Sequence, residues 1–594
     1  LVVSNISAHG RGIERGCLLQ KETFIKQYAA GLNPQQLTAV QAVHGPVLLL
    51  AVPGSGKTTV LVTRLGYMVL CCDVPPAQIL TMTYTVAATH EMRGRFAARF
   101  GAELAGQMTF RTINGLSAVI LQYYSRVYGR RQPELLTNEG DITRMLTDIW
   151  QQVNREFPTE STLKELRTAI TYIKNMALTD EEIEGLETDL ASLPELYRRY
   201  QAALKQAGQM DYDDQMVFAL QILRAAPPVL AYFQQRYKYF CVDESQDTSK
   251  IQHEIIRLLA GRSLNLFMVG DEDQSIYGFR AAYPQALMDF EQVYPGAQVL
   301  LMEENYRSSE EIVAAANAFV ARSRYRRPKT LRATQGAQCP IEIRHITRRE
   351  EQINWLFEEA RRGGRETAVL FRNNESALPL VDLCERRGVP YRFKKADLTF
   401  FTHKIVLDAV DFLRFAYEPA NGERFLRLYY KFGLALSRQR ALAACGASAR
   451  TGRPILEELI RDPETKTRMR ESLGDIYAAF KRIPQLNAAD ALDAVRHGCG
   501  YGAYLNQKGM DTGKLAILEM LAEQEPNALR LLDRLEELRM LIAAKADVNS
   551  DVPFVLSTIH SSKGLEYDRV VLLDAFDGVL PAKPEICCRT PEDT

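Results

Sequence analysis

The run Pro46-Val-Leu-Leu-Leu-Ala-Val52, followed at once by Pro-Gly-Ser-Gly-Lys-Thr-Thr, narrows what this chain can fold into more than any other feature. A short apolar run bounded by Pro and Gly reads as a strand buried on both faces. Beyond the glycines, Val60, Leu61, Leu65 and Met68 fall at helical spacing. A strand entering a glycine loop and then a helix is a phosphate cradle. Glycines let backbone N–H groups approach phosphate oxygens, and the helix N-terminus adds partial positive charge. Further buried runs occur at 78–83, 239–242 and 264–269, separated by helical patterns. Strands alternating with helices imply a parallel sheet covered on both faces.

The chemistry-bearing residues fall at the ends of these runs. In the loop Gly54-Ser55-Gly56-Lys57-Thr58-Thr59, Lys57 suits the β/γ-phosphates of a nucleotide and the Thr58 hydroxyl suits Mg²⁺. Ala51 stands where such loops usually carry their first glycine. The run Phe-Cys-Val-Asp-Glu ends on Asp243, a second Mg²⁺ ligand, and on Glu244, placed to orient and deprotonate an attacking water. Gln274 follows the strand ending at Val269, where a neutral amide can sense the γ-phosphate. Tyr277 and Phe279 come next. Aromatic pairs often pack in cores, but this position, directly after a nucleotide-contacting strand, favours a platform on which bases stack.

The chain has 594 residues, and its 73 Lys+Arg balance 73 Asp+Glu. At roughly 150 residues per domain this length suggests about four domains. Hydrophobic residues at 46% exclude a disordered chain, and zero net charge excludes a uniformly basic nucleic-acid coat. No apolar run is long enough to span a membrane, and the first residues lack a secretory core. Ten cysteines without a C-x-x-C pair point to reduced thiols in a cytoplasmic protein and away from zinc.

Positions 113–207 and 398–550 read as helical, with Leu531, Leu535, Leu538 and Ile542 as a core stripe. Strands are expected at 296–302, 340–346, 367–371, 554–558 and 569–573. The basic cluster Arg322, Arg324, Arg326, Arg327, Lys329 and Arg332 is equally a solvated face or a DNA-backbone patch. The expected architecture is α/β: a first unit from 31–112 and 208–302 with a helical insertion at 113–207, and a second from 303–397 and 551–594 with an insertion at 398–550. Residues 1–30 match no motif.

Taken together, the motifs resemble those of the UvrD/Rep/PcrA-type helicases of superfamily 1. Leu32 to Gln36 resembles the adenine-reading glutamine motif, with Gln36 in that role. Met82 to Met92 resembles a segment that contacts single-stranded DNA, which implies Thr83 and Tyr84 as contacts. Thr109 to Gly115 and Met210 to Asp214 resemble two further family motifs. Glu304 to Ser308 is similar to motif IV, implying that Tyr306 stacks on adenine and Arg307 acts as an arginine finger. Ala368 to Asn374 implies Arg372 as a DNA-backbone contact. Leu556 to Leu572 resembles motif V, implying DNA contacts from Thr558 and His560, with Lys563, Gly564 and Glu566 facing nucleotide.

The resemblance implies two RecA-like P-loop motor domains that grip ATP and Mg²⁺ and move 3′-to-5′ along single-stranded DNA, unwinding partly duplex DNA. It also implies a bacterial cytoplasmic, nucleoid-associated setting in DNA repair, replication or recombination. Several positions depart from the pattern. Val86-Ala87 replaces a DNA-contacting Asn-Lys, Asn114 lies near the place where the family carries a His after Thr-Phe, Thr59 stands for a frequent Arg, and Phe279 for a Trp. The family's next segment, with a second arginine finger, falls beyond Thr594, so the expectation is a fragment impaired in hydrolysis. A non-catalytic ATP-binding protein and the motor half of a helicase–nuclease remain the alternatives.

Overall fold

A computed structural model describes residues 18–188, 190, 192–261, 264–395, 397–510, 512–545 and 551–581. The chain forms two compact units: Leu1–Phe157 with Glu165–Glu342, and Pro158–Lys164 with Ile343–Thr594.

Unit 1 holds β1 (Val47–Ala51), β2 (Ile79–Thr83), β3 (Thr109–Thr112), β4 (Glu134–Leu135), β5 (Gln209–Met210), β6 (Tyr239–Val242), β7 (Leu266–Gly270), β8 (Gln298–Met302), β9 (Glu304–Asn305) and β10 (Arg332–Ala333). Six strands make one sheet in the order β3-β2-β6-β7-β1-β8, and every pairing is parallel. At its centre, Leu49 lies in register with Val269 on one side and Leu300 on the other.

Successive side chains point to opposite faces, so an all-apolar β1 feeds two cores at once. Val47, Leu49 and Ala51 pack with the helices Lys57–Cys71 and Val86–Phe100. Leu48 and Leu50 pack with Ile113–Tyr128, Tyr212–Ala225 and Lys250–Ala260. All five β1 residues are buried. This two-sided packing fixes the height at which the phosphate loop leaves the sheet.

The helical reading of 113–207 holds apart from β4, which pairs in parallel with β5 at Glu134↔Gln209 and Leu135↔Met210. In the helix Glu139–Asn154, Ile142, Leu146, Ile149 and Trp150 form the buried stripe expected of helical spacing.

Unit 2 holds β11 (Thr367–Phe371), β12 (Arg392–Phe393), β13 (Phe554–Thr558) and β14 (Arg569–Leu572), a parallel sheet in the order β12-β13-β11-β14. The helices between β12 and β13 share a core with rings from Phe412, Phe415, Phe425, Phe432, Phe480 and Tyr501. Leu531, Leu535, Leu538 and Ile542 are buried, as their spacing predicts.

One expectation differs from the structure. Residues 340–346 form no strand. Alternating apolar residues need both a ladder partner and a face to cover. Ile341 and Ile343 instead stay 53% and 77% exposed, and no described strand pairs with them. Contacts divide the chain between Glu342 and Ile343, so residues 303–342, expected to open the second motor domain, pack with unit 1. The cause is local pairing: β8 extends the first sheet beside β1, and β9 follows it directly into a ladder with β10. Arg307, expected on the second motor domain, therefore belongs to unit 1 with the phosphate loop.

Candidate nucleotide and nucleic-acid site

In an open parallel sheet, ligands bind outside the carboxyl ends of the strands. The predicted residues of unit 1 gather there: Lys57 after β1, Tyr84 after β2, Asp243 and Glu244 after β6, Gln274 after β7, and Arg307 after β8 and β9.

The phosphate loop has the backbone its sequence requires. Gly54 and Gly56 sit at φ +68° and +81°, a region that favours glycine. A Cβ on Gly54 would lie 2.8 Å from the Cβ of Arg307, and one on Gly56 would lie 3.2 Å from Gln36 Nε2. Gly56 is the N-cap of the helix Lys57–Cys71, and no side chain caps that end. Its first N–H groups therefore stay available to an anion.

Two side chains brace the loop. Gln36 closes a capping box with Asn33, accepting from Asn33 N at 3.0 Å, while its Nε2 donates to Ser55 O at 2.9 Å. A carboxamide offers two hydrogens and two lone pairs. Gln36 thus anchors the loop with half its capacity, and an adenine edge can use the other half. Asn305 donates to Pro53 O at 2.7 Å and accepts from the N–H groups of Arg307 and Ser308. Tyr306 N donates to Gly54 O at 2.9 Å, while its 41% exposed ring is steadied by Glu304 and Asn33.

Opposite the loop, Glu244 adopts φ +51°, a left-handed conformation that costs a side-chain-bearing residue about 1–3 kcal/mol. Its carboxylate takes Lys57 Nζ at 3.2 Å and Gln246 Nε2 at 2.6 Å. Asp243 is buried beside it. Burial first, and the Glu244 carboxylate second, push the Asp243 carboxyl well above its usual range, with Lys57 opposing. A desolvated carboxylate of this kind suits a cation. Mg²⁺ takes one or two protein oxygens plus phosphates, so Asp243 and the Thr58 hydroxyl fit it.

Gln246 Oε1 accepts from Asp271 N at 3.1 Å, and Asp271 Oδ2 accepts from Gln274 Nε2 at 2.6 Å. The sequence reading missed Gln246 and Asp271. Their signal was only that both flank expected site residues. They close a polar path from Lys57 through Glu244 to Gln274.

Next along the chain lies an aromatic face. Tyr84 stacks on Tyr277 at 6.2 Å and 10°, and Phe279 meets Tyr277 edge-on at 6.2 Å. The Arg280 guanidinium lies over both rings of the second pair, at 5.8 and 5.4 Å. Tyr84 and Phe279 are 38% and 48% exposed, which core packing does not give. Thr83 departs from its expected role. It is 2% exposed, and its hydroxyl bonds Thr89 and Thr85 O, so it ties the end of β2 to the helix Val86–Phe100. Asn114 donates to Tyr212 O at 2.9 Å.

In unit 2, Phe371 and Thr558 pair across β11 and β13, so Arg372 and His560 follow adjacent strand ends. Thr558 caps the helix Ile559–Ser562 by accepting from Ser561 N at 3.1 Å. Glu566 is exposed in the turn before β14.

A phosphate loop, an acidic strand end and an amide sensor on one parallel sheet, with a second parallel sheet in the same chain, define a RecA-like P-loop motor. The UvrD/REP helicase N-terminal domain matches residues 32–295, and the UvrD-like helicase C-terminal domain matches residues 300–443 and 515–590. The chain belongs to the UvrD/REP helicase family, enzymes of the ATP-dependent DNA helicase class.

It is 29% identical to the ATP-dependent DNA helicase PcrA of Leuconostoc citreum, over 93% of this chain and 77% of that protein. It is 29% identical to the ATP-dependent DNA helicase UvrD1 of Mycobacterium tuberculosis, over 93% and 78%. It is 26% identical to the ATP-dependent DNA helicase Rep of Buchnera aphidicola, over 93% and 88%.

Proposed function

We propose that this enzyme hydrolyses ATP with Mg²⁺ to move 3′-to-5′ along single-stranded DNA and to separate partly duplex DNA ahead of it. The observation that carries the reading is the hydrogen-bonded path Lys57–Glu244–Gln246–Asp271–Gln274, which ends three residues before Tyr277. A group that touches phosphate is thereby linked to a ring on which bases stack. The direction, and a place in bacterial DNA repair, replication or recombination, rest on family resemblance.

The residues divide the work. Gln36 and Tyr306 hold the adenine, and the loop Gly54–Thr59 holds the phosphates. Lys57, paired with Glu244 at 3.2 Å, turns to the β/γ-phosphates and frees the Glu244 carboxylate to orient the attacking water and take its proton. Asp243 and Thr58 hold Mg²⁺, which supplies charge neutralisation between the phosphates when bound. Gln274 reports the γ-phosphate, and Arg307 stabilises charge on the transferring phosphoryl group. Glu566 faces nucleotide as well. Tyr84, Tyr277 and Phe279 stack bases, and Arg372, Thr558 and His560 touch the strand.

Unwinding by the full-length protein of a duplex bearing a 3′ single-stranded tail, compared with one bearing a 5′ tail, tests this reading. With ATP and Mg²⁺ the 3′-tailed substrate opens and the 5′-tailed one does not. Preference for the 5′ tail would reverse the direction, and ATP turnover indifferent to DNA would remove the motor.

A further inference from the structure

Within the basic run that follows motif IV, Arg322, Arg324 and Arg332 stay exposed, while Arg326, Arg327 and Lys329 turn inward. Lys329 is fully buried, with its ammonium 3.1 Å from Asp271, 2.9 Å from Asp273 and in contact with Glu272. An ammonium has three donors, and here three consecutive carboxylates meet them. Arg326 adds a bidentate pair to Asp273, with Nη2 at 2.8 Å. Arg327 donates its backbone N–H to Glu272 at 2.8 Å and its guanidinium to Glu291. These residues are therefore not a phosphate-tracking face. Burial works against the Lys329 charge, and the three carboxylates outweigh it, holding the ammonium above its usual range. Glu272 Oε2 still lacks a partner, so the acidic turn has no reserve of donors.

Both ends of this segment reach the nucleotide residues. At one end, Asp271 carries Lys329 on Oδ1 and Gln274 on Oδ2. At the other, Arg332 and Ala333 pair with Glu304 and Asn305, and Asn305 holds the backbone of Arg307 while bonding Pro53 O. Asn317 fixes the middle by bonding both N–H and C=O of Leu331. The segment is a strut between the loop bearing Gln274 and the turn bearing Arg307.

We propose that Lys329 is a positioning residue that makes Gln274 and Arg307 respond to nucleotide as one body, so that ATP binding is transmitted to the Tyr277–Phe279 platform. This rests on the assignment of Gln274 and Arg307 to nucleotide. Without the ammonium, three adjacent carboxylates share a buried site with Arg326 alone. Like charges in low dielectric separate or take up protons. The turn then moves independently of the β9–β10 ladder.

The test is the affinity of the full chain for fluorescent single-stranded DNA with and without the non-hydrolysable analogue AMP-PNP and Mg²⁺. Wild type shows a nucleotide-dependent change of about 5–150-fold, the usual range of coupling between two sites. K329M brings that ratio near unity while AMP-PNP affinity without DNA stays at the wild-type level, and K329R restores the ratio. Should K329M not fold, K329M/E272Q removes the cation with one carboxylate and gives the same readout. Wild-type coupling in either folded variant, loss of AMP-PNP affinity in place of coupling, or failure of K329R to rescue would each overturn the proposal. A wild-type chain that binds neither AMP-PNP nor DNA would count against the motor reading instead.

Discussion

Two rims of the same sheet in unit 1 are built in opposite ways. The phosphate rim is buried and cross-linked. Gln36, Asp243, Gln246, Asp271 and Lys329 are all buried, and polar contacts join residues that are far apart in the chain. The aromatic rim begins three residues beyond Gln274 and is held by ring packing, with Tyr84 and Phe279 well exposed. Hydrolysis needs groups fixed before the reaction, because their dipoles must not reorganise as charge develops. A translocating grip must release, and stacking at about 1–3 kcal/mol per base does so readily. Zero net charge suits this division, since DNA is held locally rather than by the whole surface.

The largest expected effect probes the rigid rim. Arg307→Ala should lower single-turnover ATP cleavage by about 10³–10⁵-fold, as loss of an arginine finger does. A smaller loss than that of Glu244→Gln would mean that the finger lies elsewhere. Glu244→Gln should slow cleavage by about 10²–10⁴-fold, the range for general-base removal, while fluorescent-ATP affinity stays at the wild-type level. If affinity collapses with turnover, Glu244 is holding the loop rather than activating water.

A third prediction concerns what lies under that rim. His253 is half-buried; burial lowers its pKa to about 4, against a bond to the Ser245 backbone that raises it. A base whose folded pKa is depressed binds protons better when unfolded. Its contribution is therefore intact above the unfolded value near 6.5 and lost as pH falls toward about 4, at up to roughly 3 kcal/mol. Asp243, raised by burial, acts with the opposite sign over that range. The informative quantity is therefore the difference between chains. His253→Phe should lose less stability than wild type in denaturant titrations between pH 6.5 and 4, and equal losses would show that the imidazole is not neutral in the fold.

The smallest effect belongs to the open rim. Phe279→Ala should weaken single-stranded DNA binding by about 1–3 kcal/mol, measured by anisotropy, with little change in ATP affinity. A matching drop in ATP affinity would erase the contrast between the rims.

Much of the rigid rim was legible because its residues sit within a few positions of strand ends that announce themselves by apolar composition. The phosphate loop, Asp243, Glu244 and Gln274 all follow such runs. Lys329 was not legible. A lysine within a basic run looks solvated, and the carboxylates that bury it lie 57 residues away at Glu272. The packing of residues past 303 with unit 1 was not legible for a related reason, since the ladder that joins them to it is only two residues long. Ile341, Ile343 and Ile346 show the reverse error: alternation reads as a strand whether or not an edge exists to receive it.

The most direct test of the joined rims is the ATP hydrolysis rate of the full-length protein, titrated with single-stranded DNA at saturating ATP and Mg²⁺. The account predicts that the rate rises with DNA to a plateau, and that Phe279→Ala shifts the midpoint to higher DNA concentration. A rate that is the same with and without DNA would contradict it.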